Sequence, residues 1–272
     1  YKGLFYIGKV LALLLHTLPN KHKRISKANL ELVFPHKTSS QINSILRDSL
    51  FHSIMNMLEA GLVWGKQDYK KKPGFINVKN FSEIETALSS DKGILLFTPH
   101  IGNIEIIINF LGQHTDCTIP YTQPKHKGLD KIITNSRNKS GVKMVDINVS
   151  GVKEMLAALK NKKLAAVASD QVPKKGAGII SKFFNHEIYS MTLLPKLQQR
   201  TGCVAYLMYC ERKEKGEGFV IHFDSKIDLS SNIQEGVDKM NNEFEKCIMK
   251  LPGQYSREYK KFKRSELDSI YK

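Results

Sequence analysis

His100 and Glu105 stand five positions apart in "ILLFTPHIGNIEI", residues 94 to 106. An imidazole with a carboxylate is the minimal equipment for general-base chemistry, because the carboxylate holds a proton on one ring nitrogen and leaves the other free to take one. The stretch "HIGNIEI" contains no serine or threonine, and no G-x-S-x-G occurs in the chain. A base with an orienter and no nucleophile of its own points to a nucleophile on the substrate, and acyl transfer to a substrate hydroxyl is the natural reaction. Spacing alone carries little weight: nine histidines among 26 acidic residues give about one such match by chance. The weight has to come from the surroundings.

On one continuous helix, residues five apart diverge by about 140°, so the pair requires a loop before the helix. Gly102 and Asn103 supply one, since glycine permits unusual φ and asparagine is a favoured N-cap. Glu105 then falls in the first helical turn, where the helix dipole favours the ionised carboxylate.

The elements that position these residues are legible as an alternation. "GILLF", "CTIPY", "KMVDI", "LAAVAS", "CVAYLMY" and "GFVIHFD" read as strands, with helices near 104–113, 128–140, 151–161, 190–200 and 233–250. Such alternation predicts an α/β fold with a central, mostly parallel sheet flanked by helices. In open α/β sheets ligands bind beyond the carboxyl ends of strands. Two predicted strands end in polar residues, one at Thr98-Pro99-His100 and one at Asp170-Gln171, which marks that edge as the site.

Before the sheet, residues 39 to 64 carry apolar residues at Ile42, Ile45, Leu46, Leu50, Ile54, Met57, Leu58 and Leu62, a helical period with Ser40 as its expected cap. The N-terminal run "GLFYIGKVLALLLHTLP" is interrupted by Gly8, Lys9 and His16. Leu4, Ile7, Leu11, Leu14, Leu15 and Leu18 recur at helical spacing ahead of the basic run "NKHKRISK", the pattern of an amphipathic helix that lies on a membrane. An ordinary core helix is the alternative. The expected organisation is residues 1–25 as a membrane-associating helix with a basic collar and residues 26–272 as one α/β domain.

The 272 residues carry 42 Lys and Arg against 26 Asp and Glu, a formal charge of +16. That excess implies an anionic partner: nucleic acid, an acidic protein or an anionic membrane. The lysines are scattered, with no RNA-binding or zinc-finger signature and no interleaved aromatic residues, which argues against a nonenzymatic nucleic-acid binder. Cys117, Cys203, Cys210 and Cys247 show neither C-x-x-C pairs nor metal-ligand spacing, so no metal is expected and a reducing, cytosolic setting fits.

An ordered set of motifs adds a resemblance. "NLELVFP" at 29–35, "PHIGNIEI" at 99–106, "YTQPKHKGLDKIITNSR" at 121–137, "SDQ" at 169–171, "FFN" at 183–185 with Thr192 downstream, and "EKCIMKLPGQY" at 245–255 leading into "KKFKR" together resemble the lipid A late acyltransferases of Gram-negative bacteria, within the lysophospholipid acyltransferase superfamily. The resemblance covers most of the chain and implies a glycerol-phosphate-acyltransferase-like fold. It implies transfer of a fatty acyl chain from an acyl carrier protein thioester to a hydroxyl of a lipid A precursor, without a cofactor. By resemblance His100 is the general base and Glu105 its orienting acid. Arg137, Asp170, Gly102, Asn103, Gln171 and Thr192 fall where the family has further catalytic or substrate-binding residues; a guanidinium at Arg137 suits an oxyanion or a phosphate. The implied partners are acyl carrier protein, the lipid A precursor and an anionic membrane surface, not nucleic acid. The implied location is the cytoplasmic face of the bacterial inner membrane, peripheral or anchored by a segment upstream of Tyr1. Lysines in 125–143 and 260–263 are the expected docking face for an acidic carrier protein. Thr122, Arg257 and Tyr259 depart from the family pattern, which leaves open a relative that acylates glycerol phosphate, a lysophospholipid or another glycolipid.

Overall fold

The computed structural model describes residues 1–65 and 72–271. Three helices come first: α1 (Lys2–Thr17), α2 (Lys21–Val33) and α3 (Ser39–Trp64). Then follow β1 (Ile76–Lys79), α4 (Phe81–Leu88), β2 (Ile94–Thr98), α5 (Ile104–His114), β3 (Cys117–Tyr121), α6 (Lys127–Ser140), β4 (Lys143–Asp146), α7 (Val149–Lys160) and β5 (Leu164–Ala168). The chain continues through β6 (Gly178–Phe183), β7 (His186–Met191), α8 (Leu193–Thr201), β8 (Val204–Arg212), β9 (Phe219–Ile227) and α9 (Ile233–Lys250).

The sheet runs β1-β9-β8-β2-β5-β3-β4. Every pairing in it is parallel except β8 with β9, so the expected mostly parallel α/β fold is what forms. β2 is buried at all five positions, as a central strand covered by helices on both faces must be, which is why its sequence reads as an unbroken apolar run. A separate hairpin pairs β6 with β7. Its two turn residues, Phe184 and Asn185, both have positive φ, the requirement of a type I′ turn; "FFN" is therefore a hairpin signal. The hairpin is not among the elements expected from the sequence, and the helix expected from near residue 190 begins only at Leu193, once β7 has ended. β1 and α4 were likewise not expected.

The basic run after α1 is itself helical: Asn20 caps α2 by accepting the Lys23 N–H at 2.8 Å. The expected boundary at residue 25 falls inside this helix. α3 is capped two residues earlier than Ser40, by Thr38, whose side chain and that of Gln41 form a reciprocal capping box. The buried stripe of α3 steps by four through Ile42, Leu46 and Leu50, once by five to Met55, then by four again to Glu59 and Val63. The longer step rotates the stripe, and Met57, expected on the buried face, is 77% exposed.

α1 packs on α3 through Phe5, Gly8 and Ala12. Gly8 makes that approach close, since a Cβ there would overlap the Met55 sulfur and the methionine would have to shift. The outer face leaves Ile7, Val10, Leu11, Leu14 and Leu18 exposed. No helix among the described residues is long and apolar enough to cross a membrane.

Candidate active site

β2 and β5 are parallel neighbours with Thr98 opposite Ala168. Two residues beyond each of these positions stand His100 and Asp170, so the sheet register itself delivers them side by side. Asp170 Oδ1 lies 2.6 Å from His100 Nδ1, and Oδ2 accepts the His100 backbone N–H at 3.1 Å. The carboxylate partner of His100 is therefore Asp170, and the expected pairing with Glu105 is not formed.

Glu105 is held elsewhere. It does sit in the first turn of α5, and Asn103 caps that helix by accepting the Glu105 N–H at 2.9 Å. From there its carboxylate meets Arg137 of α6 in a two-pronged contact, at 2.5 Å to Nη2 and 3.3 Å to Nε. The Arg137 guanidinium also lies 4.9 Å from the centre of the Tyr121 ring. A planar cation stacked on an aromatic face and gripped by a carboxylate has one orientation, which suits it to hold an anionic group.

The loop between His100 and α5 is clamped from three sides. Gly102 has φ +60°, and a Cβ there would overlap the Cys210 carbonyl oxygen of β8; only glycine fits. Its N–H donates to the Gln254 carbonyl at 3.0 Å, and the Ser256 N–H donates to the His100 carbonyl at 2.9 Å. Asn103 Nδ2 donates to Glu59 Oε2 at 2.8 Å. Glu59 and Arg212 form a fully buried pair, with Nε 2.7 Å from Oε1 and Nη2 2.6 Å from Oε2. Burial alone would lower the Arg212 pKa, but the Glu59 carboxylate outweighs it and the net shift is upward. Burial and the Arg212 charge together push His52 well below its ordinary value, so its neutral ring accepts from Arg212 Nη1 at 2.5 Å.

The electrostatics of the central pair follow from position. Burial acts to lower the His100 pKa, yet the charge and hydrogen bond of Asp170 raise it above the ordinary histidine value. Burial acts to raise Asp170, and His100, with help from Lys261, holds it below the ordinary carboxylate value. Lys261 is buried, donates to the Asp170 carbonyl and lies 4.8 Å from the Phe183 ring centre. Its pKa is pushed down by burial to about 8. It is thus no part of an exposed docking face, unlike Lys125, Lys127, Lys131 and Lys139 on and before α6, which are exposed. Tyr255 is buried as well, and burial, followed by the Asp170 charge, pushes its hydroxyl well above the ordinary phenol value.

His100 opens onto two cavities. One, of about 370 Å³, is mainly apolar, lined by Ile104, Ile107, Ile108, Leu111, Ile119, Ile133 and Met208 among others, with His100, Gln171 and Arg137 at polar positions. The other, of about 250 Å³, is lined by His100, Asp170, Gln171, Ser256, Glu258 and Tyr259. Gln171 Nε2 is 3.4 Å from His100 Nε2, the nitrogen not engaged by Asp170. Thr192 lines neither cavity; it begins α8 with its hydroxyl 3.4 Å from the Ala177 carbonyl.

Sequence reasoning brought His100, Asp170, Gln171 and Arg137 to one place. It missed Tyr255, Glu258, Lys261, and the Glu59–Arg212 pair. The first three lie in or beside "LPGQY…KKFKR", whose basic residues read as a docking surface. The only signal for Glu59 was a carboxylate set in the apolar run "IMNMLEAGLV". No cluster of His, Cys, Asp and Glu able to hold a metal occurs among the described residues.

The family model described as bacterial lipid A biosynthesis acyltransferase matches residues 1–264. The chain is 20% identical over 265 residues to the lipid A biosynthesis palmitoleoyltransferase of Escherichia coli K12, covering 97% of this chain and 86% of that protein. It is 23% identical over 271 residues to the lipid A biosynthesis lauroyltransferase of the same organism, at 97% and 86% coverage. A lipid A biosynthesis acyltransferase of Haemophilus influenzae is 24% identical over 275 residues, at 97% and 85% coverage.

Proposed function

We propose, since the chain belongs to the bacterial lipid A biosynthesis acyltransferase family and is an acyltransferase, that it moves a fatty acyl chain from an acyl carrier protein thioester to a hydroxyl of a lipid A precursor with His100 as base and Asp170 as its orienter. The observation that carries this reading is the His100–Asp170 pair at the mouth of an apolar cavity. Asp170 on Nδ1 leaves Nε2 to take the acceptor hydroxyl proton. The oxygen attacks the thioester carbonyl, the C–S bond breaks as the tetrahedral adduct collapses, and the proton on Nε2 passes to the departing thiolate. The isoleucine-rich cavity holds the acyl chain away from water. Arg137, aligned by Glu105 and Tyr121 at the cavity wall, faces the developing oxyanion or a substrate phosphate. Glu105 thus serves the reaction through Arg137, and Gly102 and Asn103 serve it by fixing the loop that carries His100.

The exposed lysines around α6 suit an acidic carrier protein. The outward face of α1, with Lys21, Lys23, Arg24 and Lys27 gathered beyond its end, suits an anionic bilayer, which at the cytoplasmic face of the inner membrane is where the acceptor lies. The test is transfer by purified enzyme from acyl carrier protein thioesters of several chain lengths to a lipid A precursor, read by mass spectrometry. Wild-type protein should form the product, and a well-folded His100→Ala variant should not.

A further inference from the structure

The two cavities that meet at His100 have opposite chemistry. The larger is walled by isoleucine, leucine and methionine side chains; the smaller has no aliphatic side chain in its lining. His100 and Gln171 are the residues common to both linings, so the base stands at the boundary between an apolar compartment and a polar one. An acyl chain has no hydrogen-bonding groups to offer the polar side. A hydroxyl-bearing acceptor has them, and its hydroxyl must reach the same imidazole.

We infer that the pocket formed by Ser256, Glu258, Tyr259 and Gln171 is the acceptor subsite, and that it takes an uncharged, hydroxyl- or amide-bearing part of the acceptor's sugar, with Glu258 as the residue that selects it. This rests on the reading of His100 as the base.

Glu258 is set for that task by geometry. Ser53 of α3 donates to its Oε2 at 2.9 Å, which fixes the carboxylate from the side of the helix. The Tyr259 hydroxyl accepts the Val172 N–H at 2.9 Å, so the ring is a fixed wall. The Ser256 backbone N–H is spent on the His100 carbonyl, which turns this residue's position, and that of its hydroxyl, with the base. A carboxylate accepts hydrogen bonds and donates none when ionised. It therefore favours O–H and N–H groups and repels phosphate, and Asp170 beside it adds to the repulsion. A volume of about 250 Å³ is below the usual range for drug-sized ligands, which fits one sugar ring and not a whole lipid. The phosphates of the acceptor are thereby directed away from this pocket, toward Arg137 or the surface lysines.

The test varies both substrates at steady state: an acyl carrier protein thioester the wild-type enzyme turns over, and a lipid A precursor with free hydroxyls. Glu258→Gln keeps the shape and removes the charge, and Ser256→Met fills the pocket at a half-exposed position; each is checked for a wild-type melting temperature. Both should raise KM for the precursor, by roughly tenfold or more for a lost charge-assisted hydrogen bond, and leave KM for the thioester within about twofold. If Glu258→Gln fails to fold, Ser256→Met decides. Unchanged precursor KM in the folded variants, or an equal rise in thioester KM, overturns the subsite. His100→Ala separates this from the underlying reading: if that variant transfers normally, the base assignment fails, whereas a dead His100→Ala beside an unaltered precursor KM in the pocket variants rejects the subsite alone.

Discussion

Asp170 holds His100 twice, through the ring at 2.6 Å and through the backbone N–H at 3.1 Å. One carboxylate thus fixes the tautomer and the position of the residue together. The relationship arises from strand pairing, and its consequences are measurable.

The first concerns pH. A general base works when neutral, so the rate should rise with pH through the His100 pKa, which Asp170 holds above the ordinary histidine value. In Asp170→Asn the main raising charge is gone, and burial, with Lys261 beside it, outweighs the weaker pull of Glu258 and moves the pKa down. The acidic limb of the kcat profile should therefore shift to lower pH while the plateau falls by roughly 10²- to 10⁴-fold. Glu105→Gln should leave that limb where it is. A kcat profile between pH 5 and 9 for the three proteins checks both; an acidic limb that moves in Glu105→Gln and not in Asp170→Asn would return the orienting role to Glu105.

A second outcome follows from the Glu105–Arg137 contact. Arg137→Ala should cut kcat by about 10²- to 10³-fold if the guanidinium serves the oxyanion, and Glu105→Gln by less, because a neutral amide still offers one acceptor. Residues acting as a unit are non-additive. In double-mutant cycles on kcat/KM, Glu105 with Arg137 should show strong coupling, and Glu105 with Asp170 weak coupling. Additive losses for the first pair would mean that Glu105 does not work through Arg137.

How much of this was written in the sequence depends on which contacts are local. The apolar run of β2, the Gly102 turn and the Asn103 cap are local, and each was legible from residue types. That His100 and Asp170 both follow strand ends was legible as well. What one sequence does not state is that β2 and β5 are adjacent, 70 residues apart in the chain, with Thr98 opposite Ala168. Without that register, the five-residue spacing to Glu105 was the nearer partner, although α5 turns Glu105 toward α6 instead. The same limit hid the C-terminal segment: Lys261 looks like a surface lysine until the chain wraps back and buries it against Asp170.

The Glu59–Arg212 pair makes a stability prediction. Removing one partner of a buried pair leaves the other charge uncompensated, at about 3–5 kcal/mol. Glu59→Gln should therefore lower the denaturant midpoint strongly, and Glu59→Met with Arg212→Met should recover most of it. Recovery of stability should not fully restore kcat, because Asn103 has still lost its acceptor. Chemical denaturation and turnover of the single and double variants provide the check; a double variant with wild-type kcat would show that this anchor does not matter to the site.

The last prediction separates the two faces of α1. Ile7, Val10, Leu11 and Leu14 point outward and are exposed, whereas Phe5, Gly8 and Ala12 pack on α3. If the outward face docks on lipid, changing Ile7, Val10 and Leu14 together to serine removes apolar burial in the bilayer and leaves the folded protein nearly untouched. Binding to vesicles of anionic lipid should weaken by tenfold or more, since each buried methylene is worth about 0.8 kcal/mol, with the melting temperature unchanged. Raising salt should weaken wild-type binding through the lysines of α2, because screening sets in over about 10 Å at 0.1 M. Gly8→Leu should do the reverse, lowering the melting temperature by forcing α1 off Met55. Sedimentation with vesicles at two salt concentrations, beside thermal melts, reads both properties. Triple-serine protein that still sediments as tightly as wild type would move membrane docking to another surface and leave α1 as a cover for α3.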